Sequence, residues 1–268
     1  MTEPNVLEAH LQYLRDSKYS SAAIRERGRI VKTLPRLIDL DRLEVQAWQH
    51  ERQTKPNGEP RAATSLSGEA SHVRDFWRWC RTQGLMDHNP ADWLPRVRTS
   101  TTKAVVVSEG DLYRLINDAP EDIRRMIALT ALAGLRSSEA AAITWADVDN
   151  GNETLWVRNG KGSKDRAVPL SGGLLATLGD PGTGPIVGRD VSAKALSAAL
   201  GRYMRRAGVD LTAHKLRARY ITRFLAETGD AVAAAEVAGH SGLGSILRYA
   251  VASSDTMRRG AEAAGRVG

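Results

Sequence analysis

The sequence predicts a mainly α-helical fold in two domains, with one small β-hairpin in the second. Three observations carry this expectation. Apolar residues recur every three or four positions in four segments before residue 84. Asn89-Pro90-Ala91, Pro95 and the polar run 96–103 then break the pattern. Farther on, Leu155-Trp156-Val157 and Ala167-Val168-Pro169-Leu170 flank the polar stretch Gly160-Lys161-Gly162-Ser163-Lys164-Asp165-Arg166, as two strands flank a turn. At 268 residues and 42% hydrophobic content, the chain is long and apolar enough to build two sizeable cores.

In chain order, helices are expected over residues 6–16, 21–34, 43–52 and 66–83, with Lys55-Pro56-Asn57-Gly58-Glu59-Pro60 a turn between the last two. Residues 1–95 form the first domain, 96–107 an extended connection and 108–268 the second domain. Ser108, with Asp111 three residues later, reads as a helix start related to a capping box. The apolar run from Met126 ends at Gly134, a helix stop. Helices resume after the hairpin, including one through His214 and Arg217 and a short one carrying Tyr249, preceded by Gly242 and Gly244. The lone cysteine, Cys80, cannot form an internal disulfide and reads as a small core residue beside Phe76.

A net charge of +7 and a pI of about 9.7 suggest a polyanionic partner. Between Arg202 and Arg223, seven Lys or Arg (Arg202, Arg205, Arg206, Lys215, Arg217, Arg219, Arg223) face one acid, Asp210. A solvated helix face usually mixes signs, so this strip suits a phosphate backbone. Arg25, Arg29 and Lys32 fall at i, i+4 and i+7 on the second helix, and Arg74, Arg78 and Arg81 repeat the spacing on the fourth. Two solvated amphipathic faces would produce the same stripes. The chain has no apolar run of membrane-spanning length, and its polar start, Met1-Thr2-Glu3-Pro4-Asn5, does not resemble a signal peptide, so a cytoplasmic location is expected. One cysteine and six scattered histidines offer no ligand cluster at zinc spacing, and no Gly-x-x-x-x-Gly-Lys-Ser/Thr loop occurs, so neither a metal nor another cofactor is expected.

Six residues form the most informative constellation: Arg136 in Ala-Gly-Leu-Arg136-Ser-Ser-Glu139, Lys161 in Gly-Lys161-Gly-Ser-Lys164-Asp-Arg166, His214 and Arg217 in His214-Lys-Leu-Arg217, His240 after a glycine, and Tyr249 nine residues beyond it. Each has an ordinary alternative taken alone. Arg136 could be a surface arginine at a helix cap, the Lys161 segment a polar hairpin tip, His214 and His240 helix-end and turn residues, and Tyr249 a core aromatic. Their order and local grammar resemble the tyrosine recombinases, the phage integrase family, over about residues 104–252. Many members continue the His-x-x-Arg segment with His-Thr/Ser-Phe, where this chain reads Arg217-Ala-Arg219-Tyr220.

The resemblance implies a helical core-binding (SAM-like) domain followed by a catalytic domain, the two clamping a duplex. It implies DNA cleavage and rejoining through a 3′-phosphotyrosine, for integration or excision of a phage or mobile element. Arg136 and Arg217 would hold the nonbridging phosphate oxygens, because planar guanidinium forks stay charged and bond phosphate bidentately. Tyr249 would be the nucleophile. Tyr220, one helical turn after Arg217, is the second candidate. His214 would take a proton or orient the phosphate, His240 would donate a hydrogen bond, Lys161 would protonate the leaving 5′ oxygen, and Glu139 would support the site. One ester replaces another, so the chemistry needs no energy source. Expected DNA contacts are Arg25, Arg29, Lys32, Arg74, Arg78, Arg81, Lys164, Arg166, Lys215 and Arg219. The expected partners are double-stranded DNA at specific recombination sites and a homo-tetramer on paired sites, with a directionality factor left open. A type IB topoisomerase or a non-catalytic DNA-binding regulator would share parts of this pattern.

Overall fold

The computed structural model describes residues 3–98, 105–158, 165–188, 192–239, 244–247 and 249. The chain divides into two compact units, Met1–Ser100 and Thr101–Gly268.

The first unit is built from four helices, α1 (Glu3–Asp16), α2 (Ser21–Val31), α3 (Arg42–Glu51) and α4 (Ala63–Thr82), followed by a 3-10 turn at Pro90–Trp93. Local chemistry sets their ends. Ser20 caps α2 through the amide of Ala23, and Asp41 and Glu44 form a reciprocal capping box at the start of α3. The long α4 buries Val73, Phe76, Trp77 and Cys80 against Val6, Ile30 and Val45. Polar ends of the aromatic residues find partners: Trp77 Nε1 donates to the Leu37 carbonyl at 3.2 Å and Trp48 Nε1 to Thr33 Oγ1 at 3.1 Å. Cys80 is buried, and that burial pushes its thiol up to about 12, so it behaves as a small apolar residue. Glu69, also buried, pairs with Arg61 at 2.6 Å and Arg52 at 2.7 Å.

The second unit begins with α5 (Glu109–Asn117), whose cap is Ser108 accepting from the Asp111 amide at 3.0 Å. Then come α6 (Glu121–Ala131), α7 (Ser137–Ala142), a sheet, α8 (Gly172–Leu178), α9 (Ala193–Arg206), α10 (Ala213–Thr228), α11 (Ala231–Ala238) and the short α12 (Gly244–Leu247). The sheet has three antiparallel strands rather than a bare hairpin: β1 (Val148–Asp149), β2 (Thr154–Val157) and β3 (Arg166–Pro169), with Val157 opposite Arg166. β1 is two residues long, too short for alternation to reveal it in sequence. Leu155, Val157 and Val168 point into the main core with Met126, Ile127 and Leu129 of α6. A second, smaller core gathers Ala218, Ile221 and Leu225 of α10, Ala234, Ala235 and Ala238 of α11, Ile246 and Tyr249.

No helix among the described residues is long and apolar enough to cross a membrane.

One glycine is indispensable to this packing. Gly134 stands at φ +67°, and a Cβ there would lie 2.4 Å from the ring of Tyr220 on α10. Gly134→Ala therefore combines left-handed strain with a steric collision, and the expected loss is about 2–4 kcal/mol. Urea unfolding of the two proteins measures it. A change below about 0.5 kcal/mol, the size of an ordinary surface substitution, would contradict this account of the packing.

Candidate active site

Four pieces of backbone bring the site together. α6 stops before Gly134, and the chain turns so that Arg136 occupies the extended N-cap position of α7. Glu139, one turn into α7, folds back and accepts the Arg136 amide at 2.8 Å. β3 delivers Arg166, and α10 carries His214 in its first turn and Arg217 one turn later. α11 starts on Asp230, which accepts the amides of Val232 and Ala233, and ends at Gly239 in the left-handed conformation. Its alanine-rich surface lets neighbouring segments approach closely.

The three arginines meet at the carboxyl end of α11. The last carbonyls of a helix lack intrahelical partners and carry the negative end of its dipole. Three successive ones here each receive a guanidinium. Arg166 Nε donates to Val237 O at 2.8 Å, Arg217 Nη2 donates to Ala238 O, and Arg136 Nη2 donates to Gly239 O at 2.6 Å. Glu139 ties the same groups from the other side. It accepts from Arg136 Nη1 at 2.7 Å and from both terminal nitrogens of Arg166 at 3.0 and 2.7 Å, and lies 3.9 Å from Arg217. Arg217 also donates to the carbonyl of Gly134.

The electrostatics follow from that count of charges. Burial by itself would raise the Glu139 pKa, but hydrogen bonds from Arg166 and the Arg136 amide outweigh it and bring the carboxyl to about 2. Arg217 is 2% exposed. Burial first, and Arg136 second, bring its guanidinium down to about 10, still fully charged at neutral pH. Three guanidiniums facing one carboxylate leave an excess of positive charge, an environment suited to an anion.

Tyr249 ends the constellation. Its ring is 4% exposed, packed in the smaller core, yet its hydroxyl lies 3.3 Å from Nε2 of His214, whose side chain is exposed. The phenol is therefore anchored by its hydrocarbon part while its oxygen meets an imidazole. Tyr220 is placed differently. Its ring covers Gly134 and tilts against Phe224 at 6.1 Å, and burial raises its pKa.

The structure thus brings Arg136, Glu139, Arg217, His214 and Tyr249 into one neighbourhood. Lys161, Lys164 and His240 lie outside the described residues. Three expected DNA contacts have other work. Arg166 is 8% exposed and its nitrogens are bonded to Glu139 and α11, because the inward face of β3 carries it into the interior. Arg219 forks onto Glu109 at 2.6 and 3.1 Å and donates to the Ala131 carbonyl, bracing α10 against its neighbours. Arg74 donates to the carbonyls of Leu94 and Pro95. In the remaining stripes, Arg29 pairs with Glu26 at 2.7 Å and Arg78 with Asp75 at 3.3 Å. Arg25, Lys32 and Arg81 are exposed and unpaired among the described residues, and Lys215 is half-buried. Sequence reasoning missed the three α11 carbonyls; the Asp230 cap and Gly239 stop were the available signals.

Glu139 is the only carboxylate among the described residues bonded to this cluster. Glu139→Gln leaves buried guanidiniums without an anion and is expected to cost about 3–5 kcal/mol at pH 7, measured by urea unfolding. The sign with pH is fixed by the depressed pKa. The stabilisation is complete above 4.5, where the unfolded carboxyl is ionised, and drains as pH falls toward about 2. Wild type should lose stability across that window more steeply than the variant; parallel curves would show that the charge contributes nothing.

Comparison with known proteins agrees with this geometry. The family model described as "Phage integrase family" matches residues 107–180. Tyrosine recombinase XerA of Thermococcus kodakarensis is 32% identical over 216 residues, covering 75% of each chain. Tyrosine recombinase XerC of Shewanella amazonensis is 29% identical over 205 residues, 69% of each. Among solved structures, a lambda integrase (75–356) dimer bound to a COC′ core site superposes with a TM-score of 0.73 at 17% identity, covering 93% of this chain and 95% of that one, which establishes a shared fold. Shared sequence over three quarters of a recombinase and a shared fold over almost the whole chain place this protein in the tyrosine recombinase, or phage integrase, family: it is a site-specific DNA recombinase of the tyrosine type.

Proposed function

We propose that Tyr249 is the nucleophile, attacking a DNA phosphodiester to form a 3′-phosphotyrosine and release a 5′ hydroxyl. The observation that carries this reading is the 3.3 Å approach of the Tyr249 hydroxyl to His214 Nε2, one helical turn from Arg217. A phenol with a pKa near ~10 needs a base or a cationic setting to react at neutral pH, and this site has both. His214 accepts the phenolic proton or orients the phosphate. Arg136 and Arg217 bind the nonbridging oxygens and stabilise the charge that grows in the transition state. Glu139 holds these arginines rather than touching DNA. Lys161 protonates the leaving oxygen and His240 donates to the phosphate; both assignments come from their sequence motifs.

Residues 1–95 then serve as the core-binding domain, joined by 96–107 to the catalytic domain at 108–268. Arg25, Lys32, Arg81 and Lys215 contact the duplex, and Lys164 is assigned the same role from its sequence motif. Strand exchange needs two duplexes cut and rejoined, so four copies act on paired sites in the cytoplasm. The natural event is integration or excision of a phage or mobile element, with direction set by a separate factor where one exists. Support for the assembly comes from related proteins, including a lambda integrase tetramer bound to a Holliday junction.

Nicked duplexes from a randomised pool, incubated with the protein and recovered by covalent capture, supply the site and test the chemistry together. Wild type should yield an adduct at one enriched sequence, and Tyr249→Phe none. An adduct that persists in the variant would move the nucleophile elsewhere, with Tyr220 next in line. Capture without sequence enrichment, accompanied by relaxation of supercoiled plasmid, would instead indicate a topoisomerase.

A further inference from the structure

We infer that Arg166 is a positioning residue for the cleavage reaction, setting both phosphate-binding arginines through Glu139 and the end of α11 while touching no DNA itself. This rests on the recombinase reading of the site given above.

Arg166 differs from Arg136 in exposure, its side chain being 6% exposed against 27%, and from Arg217, which is 3% exposed, in partners: the terminal nitrogens of Arg217 bond backbone carbonyls, whereas those of Arg166 fork on Glu139. All three of its nitrogens are engaged: Nε on Val237 O, and the two terminal nitrogens as a fork on the two Glu139 oxygens. Three of its five N–H groups are thereby committed, two of them to the carboxylate that also holds Arg136. In this way it holds two groups in register. The fork fixes the plane of the Glu139 carboxylate, and that carboxylate bonds both the side chain and the amide of Arg136. The bond to Val237 O fixes the helix end whose next two carbonyls hold Arg217 and Arg136. Gly239 closes the arrangement. A Cβ there would lie 2.9 Å from Arg166 Nη1 and 3.2 Å from Cδ, so backbone and guanidinium are already in contact. Rotation of the carboxylate or slippage of the helix end would therefore move the phosphate-binding pair together.

A lysine at this position keeps the charge but not the fork, since one ammonium cannot span two carboxylate oxygens and a carbonyl with the same planar geometry. Misplacement of reacting groups by about 1 Å can cost roughly 10²-fold in rate without loss of binding. A phosphate contact behaves in the opposite way: its removal weakens DNA binding and lowers the slope of log K against log salt by about one.

The test uses the full chain and the captured nicked duplex, with wild-type adduct formation as the check on the recombinase reading itself. Arg166→Gln and Arg166→Lys are assayed for DNA affinity across salt, for melting temperature and for adduct formation in a single turnover at saturating protein. The expected result is an adduct rate lowered about 10²-fold in Arg166→Gln and less in Arg166→Lys, with affinity and salt slope unchanged. A salt slope reduced by about one, with a normal rate at saturation, would make Arg166 a phosphate contact and overturn the inference. Should Arg166→Gln not fold, the lysine variant decides: folded protein with a wild-type rate per bound molecule would also overturn it. Failure of the wild type to form any adduct would count against the recombinase chemistry and not against this role.

Discussion

The charge balance around Glu139 is what the rest of the C-terminal unit depends on. Buried guanidiniums repel one another and lose hydration, and a single carboxylate with two oxygens cannot satisfy three of them. The remaining hydrogen bonds come from backbone, at the one place where a helix offers unpartnered carbonyls in series: Val237, Ala238 and Gly239. Gly134 supplies one more from the end of the α6 turn. Helix ends, usually satisfied by water or by glycine caps, are used here as a rack for cations.

On the proposed reading, that arrangement would let the site be both buried and reactive. Neutralising every arginine would remove the attraction for a phosphate, whereas leaving them without partners would destabilise the fold by several kcal/mol. One carboxylate for three guanidiniums lies between these limits. Burial chiefly, and then the charge of Arg136, lower the pKa of Arg217, so its positive charge is held there at a cost. An incoming anion would relieve it, and in doing so would meet donors already oriented, so little reorganisation is needed at the moment of reaction. Tyr249 is held in a similar way: packing buries its ring, and its hydroxyl lies beside His214.

Much of this was legible in sequence. The four N-terminal helices lie within a few residues of their predicted bounds, because amphipathic spacing, the Asp41 and Ser20 caps and the Pro-Asn-Gly turn are all local signals. Ser108 began its helix as its side-chain chemistry requires. Charge patterning was less dependable. Counting cations along a helix could not distinguish Arg25, which is exposed and unpaired among the described residues, from Arg74, which braces the carbonyls after α4. Arg219 read as part of a basic strip, but Glu109, more than a hundred positions earlier in the chain, takes its guanidinium.

The sequence by itself determined most of the elements, though not the two-residue β1, together with the family, because these follow from short-range periodicity and from motifs only a few residues long. It also determined which residue types were available for phosphate chemistry. Tertiary structure decided what each of them touches. Arg136, Arg166 and Arg217 carry the same group, yet only their burial and their partners separate a half-exposed donor from one sealed behind Glu139. Tyr220 and Tyr249 are likewise the same phenol. One ring covers Gly134 and the other reaches an imidazole, a difference set by contacts between segments distant in sequence, and one that no local pattern encodes.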